Sequence, residues 1–181
     1  MYDYMLMATS RRHNFITGSL FANVFELFKK NMINPFQEEV ALVYEGERKK
    51  NGPFRLVDVR LVQDPEKFSE GVINDYEYVQ PDFAFFKKNP YLTNRRETRT
   101  AGKPDLIVEV WSESNSAEER EWKFNLYSTS DETEHWYVDQ DSNIVKCYIG
   151  CNKLPDQCLT RILRTQDGIE FDLRHLALPG L

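Results

Sequence analysis

Apolar residues first recur along the chain at helical spacing: Ile16, Leu20, Val24 and Leu27 form one line, and Phe21, Phe25 and Phe28 a second. The pattern predicts a long amphipathic helix from Ser10 to about Lys30, with Thr9 or Ser10 as its N-cap. Past "NPF", the segments "EEVALVYE" and "FRLVDVRLV" cluster or alternate apolar residues over strand lengths, around the turn-rich "GERKKNGP". They predict a hairpin. "DYEYVQPDFAFF" reads as another strand, in which Pro81 marks an edge, a bulge or an interrupted ladder.

"PDLIVEVW" has the continuous apolar run of a buried strand. In "SESNSAEEREWKFNLYSTS", Ser116 and Glu119 form a Ser-x-x-Glu capping box, and helical spacing links Trp122 with Leu126 and Lys123 with Tyr127. Strand, short loop and helix follow one another. "EHWYVDQDSNIVKCYIG" predicts two strands joined at Asp-Ser-Asn, and "CLTRILRTQDGIEFDLRHL" a last hairpin around "QDG". This order predicts an α+β or mixed α/β fold built on one sheet, with residues 1–181 as a single domain.

Glu109 breaks the apolar run of its strand. An ionised carboxylate withdrawn from water costs several kcal/mol unless something balances it, so Glu109 requires a cation, a hydrogen-bond network or a metal. Period-two geometry puts Glu109 on one face with Asp105, Ile107 and Trp111, and puts Asp82 on one face with Ala84 and Phe86. If the two strands pair, Asp82 and Glu109 converge. Two carboxylates suit Mg²⁺, which takes one or two of them with waters and substrate phosphates. The structural alternative has Asp82 capping a turn beside Pro81 and Glu109 paired with a distant Arg or Lys.

Lys123 presents the same choice. It is an i,i+4 partner of Glu119 on an ordinary solvated helix face, or a cation carried back over the sheet by the short connection, where it orients water or phosphate. His13, Glu26 and Tyr127 are additional candidates to line such a site.

Charge changes the picture of the partner. The chain carries a formal net charge of −6, which by itself disfavours nucleic acid. Residues 87–103 hold six cations (Lys87, Lys88, Arg95, Arg96, Arg99, Lys103) against Glu97, a local +5 that leaves −11 for the remainder. A basic stretch joining two candidate site strands can neutralise phosphates without reading sequence. Arg48, Lys49 and Lys50 form a smaller cluster. The N-terminus has no signal-peptide pattern, and no window approaches the roughly 18 apolar residues of a membrane span, so a cytoplasmic location is expected. Cys147, Cys151 and Cys158 contain no CxxC pair and are expected as reduced thiols.

"VQPDFAFF", "GKPDLIVEVWSES", "EREWKFNLY" and "EHWYVDQD", in this order, resemble the Uma-two family of putative restriction endonucleases, a branch of the PD-(D/E)XK nucleases. "RRHNFITGSL" is similar to that family's opening helix. The resemblance implies a restriction-endonuclease-like core with a central mixed sheet flanked by helices. It also implies a Mg²⁺- or Mn²⁺-dependent endonuclease acting on DNA, with metal held by Asp82, Glu109 and the Val110 carbonyl. Lys123 then stands in for the lysine that the superfamily carries where this chain has Trp111. The chain departs from the family's pattern at Glu113-Ser114-Asn115, at Glu119 and at His135. Cutting both strands of DNA leads to the expectation of a homodimer. Two rivals remain: a catalytically degenerate module that binds nucleic acid or protein, and a metal-free hydrolase using the two acids as an acid/base pair.

Overall fold

The computed structural model describes residues 11–29, 41–48, 56–61, 77–87, 91–92, 99–101 and 104–177. Its first element is helix α1 (Arg11–Lys29); the predicted cap positions Thr9 and Ser10 lie outside the described residues. Strands β1 (Ala41–Arg48), β2 (Leu56–Leu61), β3 (Glu77–Val79), β4 (Phe83–Phe85), β5 (Tyr91–Leu92), β6 (Arg99–Ala101) and β7 (Leu106–Trp111) lead into helix α2 (Ala117–Tyr127). Then come β8 (Glu134–Asp139), β9 (Ile144–Ile149), β10 (Asn152–Lys153), β11 (Gln157–Cys158), β12 (Ile162–Arg164) and β13 (Glu170–Asp172), and a 3-10 turn at Arg174–Ala177.

The class is α+β, with a mixed main sheet in the order β10-β9-β8-β7-β4 and β11 beside β9. Among its described strands only β7 and β8 pair in parallel, and α2 is the crossover that a parallel connection needs. β7 is buried on both faces, which explains its unbroken apolar run. Leu106, Val108 and Val110 pack with Ile16, Leu20 and Val24 of α1 and with Phe83, Phe85 and Phe171. Each such aliphatic side chain contributes roughly 1.5–3 kcal/mol on burial. Ile107, on the opposite face, packs with Leu126 and Tyr127 of α2 and with Leu42, Leu61 and Val79 of a second sheet.

That second sheet runs β2-β1-β6-β5, with β3 also on β1, and β12 and β13 form a separate hairpin. The described strands therefore fall into three sheets where the sequence predicts one. Pro81 is the reason for part of this: the strand predicted over 75–86 is cut into β3, paired with β1, and β4, paired with β7. A residue without an N–H ends a ladder readily. The basic stretch 87–103 likewise contains the antiparallel pair β5 and β6. Both predicted hairpins, β1 with β2 and β12 with β13, are present, and Asn143 takes the left-handed turn position (φ 58°) between β8 and β9. The three cysteines are free thiols. Among the described residues, no helix is long and apolar enough to cross a membrane.

Candidate active site

The register of β4 on β7 pairs Phe83 with Val108. Continued by one residue, it sets Asp82 opposite Glu109, and directly opposed residues share a face. Asp82 sits in the break that Pro81 opens, so its carboxylate turns along β7: Oδ2 accepts the Val110 N–H at 2.7 Å. Its Oδ1 lies 3.0 Å from His13 Nε2, at the start of α1. The Asp82 side chain remains 27% exposed.

Glu109 is enclosed, with 2% of its side chain exposed. The Ser116 hydroxyl accepts the Glu119 N–H and starts α2 five residues after β7 ends, so the helix folds straight back over the strand. Lys123 and Tyr127, one turn apart on α2, then meet the same carboxylate. Lys123 Nζ donates to Oε2 at 2.8 Å, and the Tyr127 hydroxyl donates to Oε1 at 2.6 Å. Of the two readings of Lys123, both contacts exist, since its ammonium also lies 3.7 Å from Glu119 Oε1.

Burial pushes Glu109 up to about 7, against the attraction of Lys123 and reinforced by the charge of Asp82. Burial lowers the Lys123 pKa, but Glu109 and then Asp82 outweigh it and the net shift is upward. The hydrogen bond to Asp82 raises His13, with burial opposing. Burial, followed by the Glu109 charge, holds the Tyr127 hydroxyl protonated as a donor. The net rise at Glu109 is set first by burial, which Lys123 and Tyr127 offset only in part.

These donors fit a hard divalent cation. Each carboxylate oxygen accepts one hydrogen bond and keeps lone-pair capacity, and two carboxylates with waters are a normal Mg²⁺ set. Among the described residues no three acidic, His or Cys side chains form a metal cluster. Val110 is at the site through its main chain, whose N–H is bound by Asp82. Trp111 is packed instead on Tyr137, with ring centroids 4.4 Å apart, and the Arg120 guanidinium lies 5.1 Å from its ring.

Other expected residues lie elsewhere. Glu26 is thirteen residues beyond His13 on α1, about 20 Å of helix rise away, and pairs with Lys29 at 2.8 Å. It shares α1 with His13 but lies at the helix's other end. Lys87 lies past the far end of β4, where its ammonium meets Asp105 and Asp167 and its N–H donates to Asp105 at 2.7 Å. It is engaged in an ion-pair cluster away from the two acids. Lys88, Arg95, Arg96 and Lys103 lie outside the described residues, as do Lys49, Lys50 and the side chains of Arg48 and Arg99.

Sequence alone offered Glu119 as a capping residue and as an i,i+4 partner of Lys123, but not the link from Asn115 to it. Asn115 Nδ2 donates to Glu119 Oε1 at 3.2 Å, beside Lys123. A signal was present: Asn115, Glu119, Lys123 and Tyr127 follow at strict four-residue spacing, the period of a helix face.

A search of curated proteins finds no match to this chain. The model of one family, described as "Uma2: Putative restriction endonuclease", matches residues 62–168, a span that contains Asp82, Glu109, Lys123 and Tyr127. The match covers more than half of the sequence, and the chain belongs to the Uma2 family.

Proposed function

We propose that this chain is a divalent-cation-dependent endonuclease that hydrolyses DNA phosphodiester bonds. Membership of a family described as restriction endonucleases points to a nuclease. The observation that carries the finer reading is the meeting of Asp82, the buried Glu109 and Lys123, from three separate parts of the chain. Asp82, Glu109 and the Val110 carbonyl are the groups assigned to hold Mg²⁺ or Mn²⁺. The bound ion would supply Lewis acidity and a water of lowered pKa.

The remaining work falls to the chain's own residues. Lys123, with 13% of its side chain exposed, offers a fixed positive charge to an attacking water or a phosphate oxygen. Tyr127 holds Glu109 in one orientation, and His13 steadies Asp82. Since Lys87 is held by Asp105 and Asp167, the grip on the DNA backbone is assigned to Lys88, Arg95, Arg96, Arg99 and Lys103. A single domain over residues 1–181, acting in the cytoplasm as a homodimer with two sites, completes the reading.

One observation favours a second reading. Both oxygens of Asp82 and both of Glu109 already meet donors within the protein, a self-satisfied arrangement that suits a degenerate module binding nucleic acid or protein without turnover. Incubation of supercoiled and linear DNA with Mg²⁺ or Mn²⁺ separates the two. The nuclease reading requires cleavage that EDTA, Asp82→Ala and Glu109→Ala each abolish. Salt-sensitive DNA binding without cleavage in any of these conditions supports the module instead.

A further inference from the structure

We propose that Asn115 and Glu119 are positioning residues for Lys123, forming with it a brace that returns the helix to the strand it left. The inference rests on the assignment of Lys123 to the proposed site. Four contacts compose the brace. The Ser112 N–H, just past the end of β7, donates to Asn115 Oδ1 at 3.0 Å. Asn115 Nδ2 donates to Glu119 Oε1 at 3.2 Å. That same oxygen lies 3.7 Å from Lys123 Nζ, which donates to Glu109 Oε2 at 2.8 Å. Glu109 and Ser112 belong to one continuous segment, so the ring closes through β7 itself.

The need for a second partner follows from the lysine side chain. Its ammonium ends a flexible four-carbon stem, and one hydrogen bond to Glu109 leaves it free to pivot about that oxygen. Glu119, approaching from the solvent side with 41% of its side chain exposed, restricts the pivot. Glu119 would itself be mobile there. Asn115 fixes it, and Asn115 is fixed in turn by Ser112, whose hydroxyl also donates to Asn115 Oδ1 at 3.3 Å. Arg120 adds a parallel stitch, donating to the Ser112 carbonyl at 2.6 Å while covering Trp111.

Partly exposed ion pairs contribute little to stability, so Glu119→Ala and Asn115→Ala leave the fold intact. Glu119→Ala also keeps the backbone N–H that the Ser116 cap uses. What the brace controls is the ordering of one ammonium group, and nitrogen NMR of lysine-labelled, metal-free protein reads it directly. The expected result is that exchange of the Lys123 ammonium protons with water speeds up about tenfold in either single variant. The double variant lies within about twofold of the singles, because a broken ring is not broken further. Glu119→Gln keeps the acceptor oxygen for Asn115 but loses the charge that faces Lys123, and its exchange rate is expected between those of the native protein and Glu119→Ala.

With DNA and Mn²⁺, the same brace predicts a fall in kcat of about fivefold in each single variant, with KM within about twofold. Unchanged exchange in Glu119→Ala, or single-variant effects that multiply in the double variant, overturns the brace. Absence of cleavage by the native protein overturns the nuclease reading alone, since the exchange measurement decides the brace without activity.

Discussion

Lys123 Nζ and Glu109 Oε2 lie 2.8 Å apart although fourteen residues separate them in sequence, so α2 carries the cation that a carboxylate inside β7 requires. Removing one partner of such a pair is far more costly than the pair is stabilising. Lys123→Met is expected to destabilise the protein by about 3–5 kcal/mol where Glu109 is ionised. The cost depends on pH. Glu109 binds its proton more tightly in the folded chain (about 7) than the usual 4.5, so its stabilising contribution is complete below 4.5 and is lost as pH rises through about 7. Without Lys123 this window moves upward. Urea denaturation should therefore show a larger gap between variant and native protein at pH 8 than at pH 6; an equal gap at both contradicts the pairing.

Tyr127 holds the other oxygen of Glu109. Tyr127→Phe preserves the ring in a fully buried position and deletes only the 2.6 Å hydrogen bond to the carboxylate. A hydrogen bond to a charged group contributes about 1.5–3 kcal/mol, and denaturation at pH 8 should show a loss of that size. A loss near zero would mean that Glu109 is oriented without Tyr127.

His135 gives a separate acid signature. It is buried, with Nε2 2.8 Å from the Gly150 carbonyl and Nδ1 2.8 Å from the Tyr137 hydroxyl. The carbonyl can only accept, so Nε2 carries the proton and Nδ1 accepts from Tyr137. Burial, opposed by the bond to Gly150, lowers its pKa from 6.5 to about 4. The unfolded chain then takes up a proton first, and stability falls as pH drops from 6.5 to 4, by up to about 3 kcal/mol. Relative to His135→Gln, the native protein should lose stability between pH 7 and pH 4.5. Parallel pH profiles would contradict a buried neutral His135.

Much of this arrangement was legible because short-range geometry governs it. Alternation along 104–111 separated Leu106, Val108 and Val110 from Ile107 and Glu109, and those are the two faces that α1 and α2 cover. The helical period of α2 was equally plain, and with it the common face of Lys123 and Tyr127. What escaped the sequence depends on pairing across the chain. Pro81 announced a break, but not that β3 and β4 would join different sheets. Glu26 shows that sharing a helix does not mean sharing a site, and Lys87 was claimed by Asp105 and Asp167 through a contact with the β12–β13 turn that no local pattern marks. The buried Glu134 is similar: it accepts from Trp136 Nε1 at 2.6 Å and from the Gln166 N–H at 2.7 Å, thirty-two residues away.

The assignment of Asp82 and Glu109 to one divalent cation makes a positional demand that diffraction answers. In crystals soaked with Mn²⁺, an anomalous peak should appear between the two carboxylates, about 2.0–2.4 Å from an oxygen of each, and should vanish in Glu109→Gln. Saturating Mn²⁺ that leaves this position without a peak, with Lys123 and Tyr127 still on Glu109, would contradict the metal site on which the nuclease reading depends.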